Sequence, residues 1–366
     1  MGNIVGAVLT GIFWLVLATI QGVGDYGQIN YVLSIGSLTA SIALLGLNTT
    51  VTTLLPKGES KIIVQANQII LISATICAAI ASSFNWILGP FVISMSFWMM
   101  ASYELIAQKS YKKYALNVIG ARGTQLILSL GLYYILGSPG LVLGFIIAFF
   151  AFSRPFFSSV RNFDFHFADL KKIFRTSLHL YSYNLSNAFL LYFDKLIIGP
   201  LFGYVLLGYY QLGFQFLMFF SMIPVSFYQY LVSHESGGRK ENKLRIYSIL
   251  FSVLLSALFF LFAPQIITLF FHNYSQSINS MRILSVGIVP MMIISTLNSR
   301  FLSLNLTKYI MFSSILYQVL QVILLILLGN RYGIEGISSS VVISMACQSI
   351  FLFISYLKTS SYHISK

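Results

Sequence analysis

Residues 154–175 read RPFFSSVRNFDFHFADLKKIFR, the longest polar stretch in a chain that is otherwise almost continuously apolar. Five basic residues lie in it: Arg154, Arg161, Lys171, Lys172 and Arg175. Lys and Arg in the short loops of a membrane protein are retained on the cytoplasmic side. The stretch therefore reads as a cytoplasmic connection, and its Asp169–Lys172 segment suits either a short interfacial helix or a solvated linker. Working outward, six apolar runs precede it and six follow, at roughly 3–22, 28–50, 62–82, 85–105, 115–136, 140–159, 176–199, 204–232, 246–270, 282–304, 309–328 and 334–357. Each has about the 20 residues that a helix needs to cross a bilayer.

The other basic residues obey the same alternation. Lys57 and Lys61 follow the second run, and Lys109, Lys112 and Lys113 the fourth. Arg239, Lys240, Lys243 and Arg245 follow the eighth, Lys308 the tenth, and Lys358 and Lys366 close the chain. Seventeen of the 22 Lys and Arg residues thus fall on one side, against Arg282 and Arg331 on the other. With an even number of spans, both termini are expected in the cytoplasm. Composition agrees: 57% of residues are hydrophobic and 8% charged, against about 25% charged in a soluble domain. The net charge of +13 would suggest nucleic acid in a soluble protein. Here it belongs to loops facing anionic headgroups, so membrane lipids are expected partners and nucleic acid is not. Cys77 and Cys347 both lie in apolar runs, which argues against a disulfide framework. No small-residue cleavage site follows the run from Ile4, which reads as a retained helix.

The expected fold is all-α and integral to the membrane, with about 12 transmembrane helices in two pseudo-symmetric six-helix lobes around a central cavity. The boundaries are 1–160 for the first lobe, 161–175 for the linker and 176–366 for the second. Internal similarity supports two lobes. Tyr26-Gly-Gln28 opens the second run and Tyr209-Tyr-Gln211 the eighth. Gly137-Ser-Pro-Gly140 links the fifth and sixth runs, and Gly333-Ile-Glu-Gly336 the last two. Halves with an even number of spans keep the same orientation, as in transporters that alternate access between two lobes.

A more specific likeness starts at Phe193-Asp194-Lys195-Leu-Ile-Ile-Gly199, continues through Gly203 and ends in Gly208-Tyr-Tyr210-Gln-Leu. Asp25-Tyr26-Gly27, Leu45-Gly46-Leu47-Asn48, Asn305-Leu-Thr-Lys308 and Tyr332-Gly333-Ile-Glu-Gly336 stand in matching order along the chain. The sequence resembles the polysaccharide flippases, the O-antigen and exopolysaccharide translocases of the multidrug/oligosaccharidyl-lipid/polysaccharide exporter superfamily. Gln211 and Gly213 replace the Ser and Ala usual after the tyrosine, and the polar amphipathic lead-in usual before the first span is missing. The resemblance implies a flippase that moves a polyprenyl-diphosphate-linked glycan from the cytoplasmic to the outer leaflet of the inner membrane. It implies glycosyltransferases and a glycan polymerase as companions, and no enzyme activity or cofactor. The chain indeed lacks a phosphate-binding Gly-x-x-x-x-Gly-Lys-Ser/Thr loop, and its five His residues make no metal-ligand spacing.

Ionisable groups inside spans are the first functional candidates. Arg122 lies about 9 Å into the fifth span, at 1.5 Å per residue. Asp194 and Lys195 lie in the outer part of the seventh, Arg300 near the inner end of the tenth and Arg282 at its outer mouth, while Glu104 closes the fourth on the inner side. Basic groups at several depths suit a diphosphate, which hydrocarbon rejects unless it is paired or hydrated. Arg suits it best, because its fork donates bidentately and stays charged. Asp194 and Lys195 stand about 100° apart on a helix. Either one lines a cavity while the other reaches outward, or both pair with other helices. Asn184 and Asn187 share a face, as do Gln211 and Gln215, and Tyr181, Tyr183 and Tyr192 could stack on sugars. Amides, however, also glue membrane helices together, and Arg282, Arg300 and Glu104 are close enough to an interface to snorkel.

Three alternatives remain at this point. A cation-coupled multidrug antiporter of the same superfamily would want intramembrane carboxylates, of which Asp194 is the clear one. An oligosaccharide polymerase or ligase would want a large outer loop, where this chain has short ones. A scaffold protein would have no need of repeated halves.

Overall fold

A computed structural model describes residues 2–57, 62–160, 185, 188–189, 191–236, 242–304 and 306–364. Asn184, Asn187, Tyr181, Tyr183 and most of the 154–175 stretch lie outside the described residues. The described elements are helices: α1 (Gly2–Ile20), α2 (Val23–Ala43), α3 (Leu47–Leu54), α4 (Ile62–Phe84), α5 (Leu88–Ala107), α6 (Tyr111–Leu136), α7 (Ser138–Ala151) and α8 (Arg154–Val160). They continue as α9 (191–202), α10 (Tyr204–Ser236), α11 (Asn242–Phe270), α12 (Ser277–Val286), α13 (Ile288–Ser303) and α14 (Thr307–Ile364). This is the all-α, multi-spanning architecture that the hydropathy predicts. Among the described residues, seven segments are long and apolar enough to cross a membrane, an eighth being the bent pair α2–α3. One of the seven, α14, is two helices split at Gly333, whose φ of 58° and ψ of −132° are not helical.

Three expected spans are interrupted. The second breaks at Leu45 and Gly46, both left-handed (φ 49° and 73°), and bends by 45° between α2 and α3. The sixth ends at Ala151, and α8 restarts after Ser153. The tenth begins at Ser277 rather than Arg282, so α12 and α13 together make one span. Its polar opening, Ser-Ile-Asn-Ser, looks like loop on hydropathy. In the structure those hydroxyls are buried partners: Ser277 donates to the Tyr209 carbonyl at 2.9 Å, and Ser280 bonds Ser338 at 2.6 Å. Bonds of this kind, together with close packing, hold membrane helices together where lipid is as apolar as the protein core.

The chain divides into two compact units, Met1–Leu17 with Ile29–Ile197, and Ala18–Gln28 with Ile198–Lys366. Residues 18–28, counted in the first lobe from sequence, group with the second unit, and 191–197 group with the first. In the first unit α5 is central and packs on α3, α4, α6, α7 and α8. Phe156 of α8, fully buried, stacks on Phe97 of α5 with centroids 4.2 Å apart. In the second unit α10 packs on α12 and α13, and α13 on α14. A cluster of Leu297, Phe301 and Leu352 packs the last turns of α13 against α14.

The repeat is visible in backbone geometry. Gly137 and Gly333 both have positive φ (67° and 58°), a conformation that an L side chain adopts only with strain. Three residues on, a Cβ at Gly140 would overlap the Leu132 carbonyl, and one at Gly336 the Leu328 carbonyl. The same four-residue turn, needing glycine at both ends, therefore joins α6 to α7 and the two parts of α14. In the second unit a Cβ at Gly27 would overlap the Tyr204 carbonyl, and one at Gly208 the Val23 carbonyl. Gly27 and Gly208 thus mark a close approach of the α2 and α10 backbones.

Candidate functional site

The first unit holds the most unusual charge. Arg122 sits midway along α6, half-buried. Its guanidinium lies 4.9 Å from the centroid of Trp98 on α5 and 5.4 Å from that of Phe149 on α7. The two rings are themselves stacked, 4.7 Å apart at 12°. Aromatic faces attract a guanidinium more strongly where water is scarce, by roughly 2 kcal/mol. Nη1 donates to Gln125 Oε1, one helical turn along, at 2.8 Å. Tyr192 of α9 shares a hydrogen bond with Ser37 of α2 and lies within electrostatic reach of Arg122.

Beside Arg122 lie two idle donors. The Trp98 Nε1 and Gln125 Nε2 groups are buried and have no hydrogen-bond partner among the described residues. Trp98 is 7% and Gln125 1% exposed. An unsatisfied buried donor costs about 1–3 kcal/mol. Two of them beside an unpaired guanidinium form a site that an oxyanion would satisfy and a cation would not. Arg122, Gln125 and Ser129 share one face of α6, at i, i+3 and i+7.

Asp194 and Lys195 behave differently. The two neighbours pair with each other. Lys195 Nζ reaches Asp194 Oδ1 at 2.9 Å and the Leu191 carbonyl at 2.7 Å, and the Lys195 amide also donates to Oδ1, at 2.8 Å. Both residues are buried and make further contacts. The remaining candidates lie in the second unit. Gln211 is buried on α10, its Oε1 without a partner among the described residues, and Gln215 is buried one turn further on. Arg282, one and a half turns into α12, lies 5.3 Å from the Phe260 ring and donates to the Phe260 carbonyl at 3.4 Å on an exposed face. Arg300, half-buried near the end of α13, keeps its Nε buried and unbonded. Among the described residues no group of His, Cys, Asp and Glu could hold a metal ion.

Trp98, Gln125 and Phe149 escape a reading of the sequence as site residues. The available signals were a tryptophan in mid-span, away from the interfacial belts, and an amide three residues after an intramembrane arginine.

A scan against family profiles and a search of curated proteins return no match to this sequence. Solved structures do match over nearly the whole chain. The lipid II flippase MurJ, in an inward closed conformation, aligns with a TM-score of 0.76 at 13% identity, covering 97% of this chain and 86% of its own. An inward-facing multidrug resistance MATE family transporter of the MOP superfamily aligns with a TM-score of 0.73 at 16% identity, covering 99% and 95%. A eukaryotic MATE transporter, AtDTX14, gives 0.56 at 12% identity, covering 98% and 94%. The chain has the fold of these MOP-superfamily membrane transporters. At such identities the likeness concerns the fold alone.

Proposed function

We propose that this protein is a flippase that carries a polyprenyl-diphosphate-linked oligosaccharide from the cytoplasmic to the outer leaflet by alternating access. The observation that carries the reading is the pair of buried, idle donors, Trp98 Nε1 and Gln125 Nε2, beside the ring-held Arg122 guanidinium. A phosphoryl group bound there would accept from the guanidinium fork, the Trp98 indole and the Gln125 amide, replacing part of the hydration that hydrocarbon denies it. Buried amides such as Gln211 and Gln215 are suited to sugar hydroxyls. The quoted motifs, Asp194-Lys195 through Tyr210 above all, favour the polysaccharide flippase family within the superfamily. Companion glycosyltransferases and a glycan polymerase would belong to the same biosynthetic route, and catalysis would be theirs rather than this chain's.

The antiporter reading needs an intramembrane carboxylate available to a cationic drug. Asp194 does not offer one, since Lys195 neutralises it at 2.9 Å. The discriminating experiment is reconstitution in liposomes carrying a fluorescent polyprenyl-diphosphate oligosaccharide, with leaflet exposure read by a membrane-impermeant glycan-cleaving enzyme. Transbilayer movement that needs the protein, set beside no efflux of cationic dyes, supports the flippase; the reverse pattern overturns it.

The orientation belongs to the same proposal: the cytoplasmic membrane, with both termini and residues 154–175 on the cytoplasmic side. A single cysteine introduced as His166→Cys, with Cys77 and Cys347 replaced, is expected to resist an impermeant thiol reagent in intact cells and to react in inverted vesicles. Labelling in intact cells would reject the orientation.

A further inference from the structure

One carboxylate in the first unit takes no part in the Arg122 site. Glu104, one turn before the end of α5, is 3% exposed. It joins three helices. Oε1 accepts from Ser159 Oγ of α8 at 2.6 Å and from Gln108 Nε2 at 3.0 Å, and Oε2 accepts from Asn67 Nδ2 of α4 at 3.4 Å. No ion pair reaches it among the described residues. The charged and titratable groups on the elements packed against α5 do not meet it. α3 and α7 carry none, α4 carries Cys77, α8 carries the exposed Arg154, and α6 carries Tyr111, Tyr114, Tyr133 and Tyr134, the exposed Lys112 and Lys113 and the ring-bound Arg122. α5 itself also carries Tyr103. A buried carboxylate without a counter-charge is costly in a membrane helix unless a proton neutralises it.

The surroundings are built for two charge states. Ser159 Oγ lies within hydrogen-bond distance of two acceptors, Glu104 Oε1 at 2.6 Å and the Pro155 carbonyl at 3.1 Å. A hydroxyl has one proton and two lone pairs. When Glu104 is ionised, Ser159 donates to Oε1. When a proton adds to Oε1, the new acid donates to Ser159 Oγ, and the Ser159 hydrogen turns to the Pro155 carbonyl. Both states are satisfied with no heavy atom moved. Gln108, the next residue on that face, is exposed and gives the site an edge open to water at the end that the charge pattern assigns to the cytoplasm. A metal cation would need several oxygen ligands, and here two of the three groups facing Glu104 are amide donors.

We propose that Glu104 is a proton-binding site loaded from the cytoplasmic end of the first unit, with Ser159 as its switching partner. The proton comes from water and leaves to water, with no other bond made or broken. The inference is independent of which substrate the protein carries, and its test involves none. Purified full-length protein in lipid is titrated with pH while the carboxylic C=O stretch is followed by infrared difference spectroscopy. With nine acidic residues in the chain, loss of a single band is resolvable. The wild type is expected to show a titrating carboxylic band that Glu104→Gln removes and Asp194→Asn leaves in place. Ser159→Ala is expected to keep the band and move it to higher frequency, as a hydrogen-bonded acid becomes free. An unchanged band in Glu104→Gln overturns the assignment. Should that variant fail to fold, an unmoved band in Ser159→Ala overturns it equally. Liposome flipping in the same variants separates this outcome from that of the flippase reading, because a proton site without lipid transport would reject only the latter.

Discussion

Arg122 and the Asp194–Lys195 pair are both charges buried in spans of the same unit, yet their surroundings are opposite. Lys195 finds its counter-ion on the adjacent residue and a carbonyl one turn back. Arg122 finds two aromatic faces, one amide oxygen and two idle donors. The first arrangement is closed: charge meets charge, and nothing is left for a ligand to supply. The second lacks only acceptors. A charged motif is thus a weak guide to a binding site until the partners are known, since the residues most visible in sequence are the ones the fold has neutralised.

The largest effect expected from this contrast is on stability. Lys195→Met leaves Asp194 buried without its cation, and breaking a buried pair from one side costs about 3–5 kcal/mol. The protein should then be nearly absent from membranes on immunoblotting. Adding Asp194→Leu, which removes the orphaned charge, should restore most of the protein. A single variant that accumulates normally would mean that the pair is not closed in the working protein and that Lys195 is available to a ligand.

Arg122 should give the reverse pattern. Arg122→Ala removes no counter-ion, so protein levels should hold. Transport should fall steeply, since truncating one partner of a buried charge-assisted contact costs about 2–5 kcal/mol. Flipping in liposomes should be near the protein-free rate. Arg122→Lys keeps the charge and loses the fork, so it should recover part of the rate. If Arg122→Ala flips normally, the residue is a packing group held between two rings.

Much of this fold was legible in the sequence for a physical reason. The all-helical, multi-spanning character rests on hydropathy, which is an additive property of composition. The glycine turns at Gly137 and Gly333 were legible because only glycine tolerates that backbone. The break at Leu45–Gly46 and the start of α12 at Ser277 were not, because each depends on tertiary partners: serine hydroxyls read as loop until Tyr209 and Ser338 are seen to meet them. The site was half legible. Arg122 stood out by its depth, while Trp98 and Phe149 lie 24 and 27 residues away from it in opposite directions along the chain. Only the packing of α5 and α7 on α6 brings them to it. Glu104 looked like a snorkelling end group because its depth is shallow, and sequence cannot register that α4 and α8 cover it.

The finest test of the contrast is Trp98→Phe. The Trp98 ring could serve Arg122 in two ways, as an aromatic face that holds the guanidinium or as an indole N–H that shares its ligand. Phenylalanine keeps a face and loses the donor. If the face alone matters, the variant should transport like the wild type, with at most the small loss expected from a weaker ring quadrupole. If the idle Nε1 belongs to the oxyanion site, one charge-assisted hydrogen bond disappears, worth about 1.5–3 kcal/mol. The substrate concentration for half-maximal flipping should then rise by at least tenfold while protein levels stay unchanged. Trp98→Ala separates the roles further, since it removes the face as well and should add a loss of stability from the cavity beside Phe149. A Trp98→Phe variant with unaltered concentration dependence would place Trp98 among the packing residues. The donor surround of Arg122 would then shrink to Gln125 and the guanidinium itself.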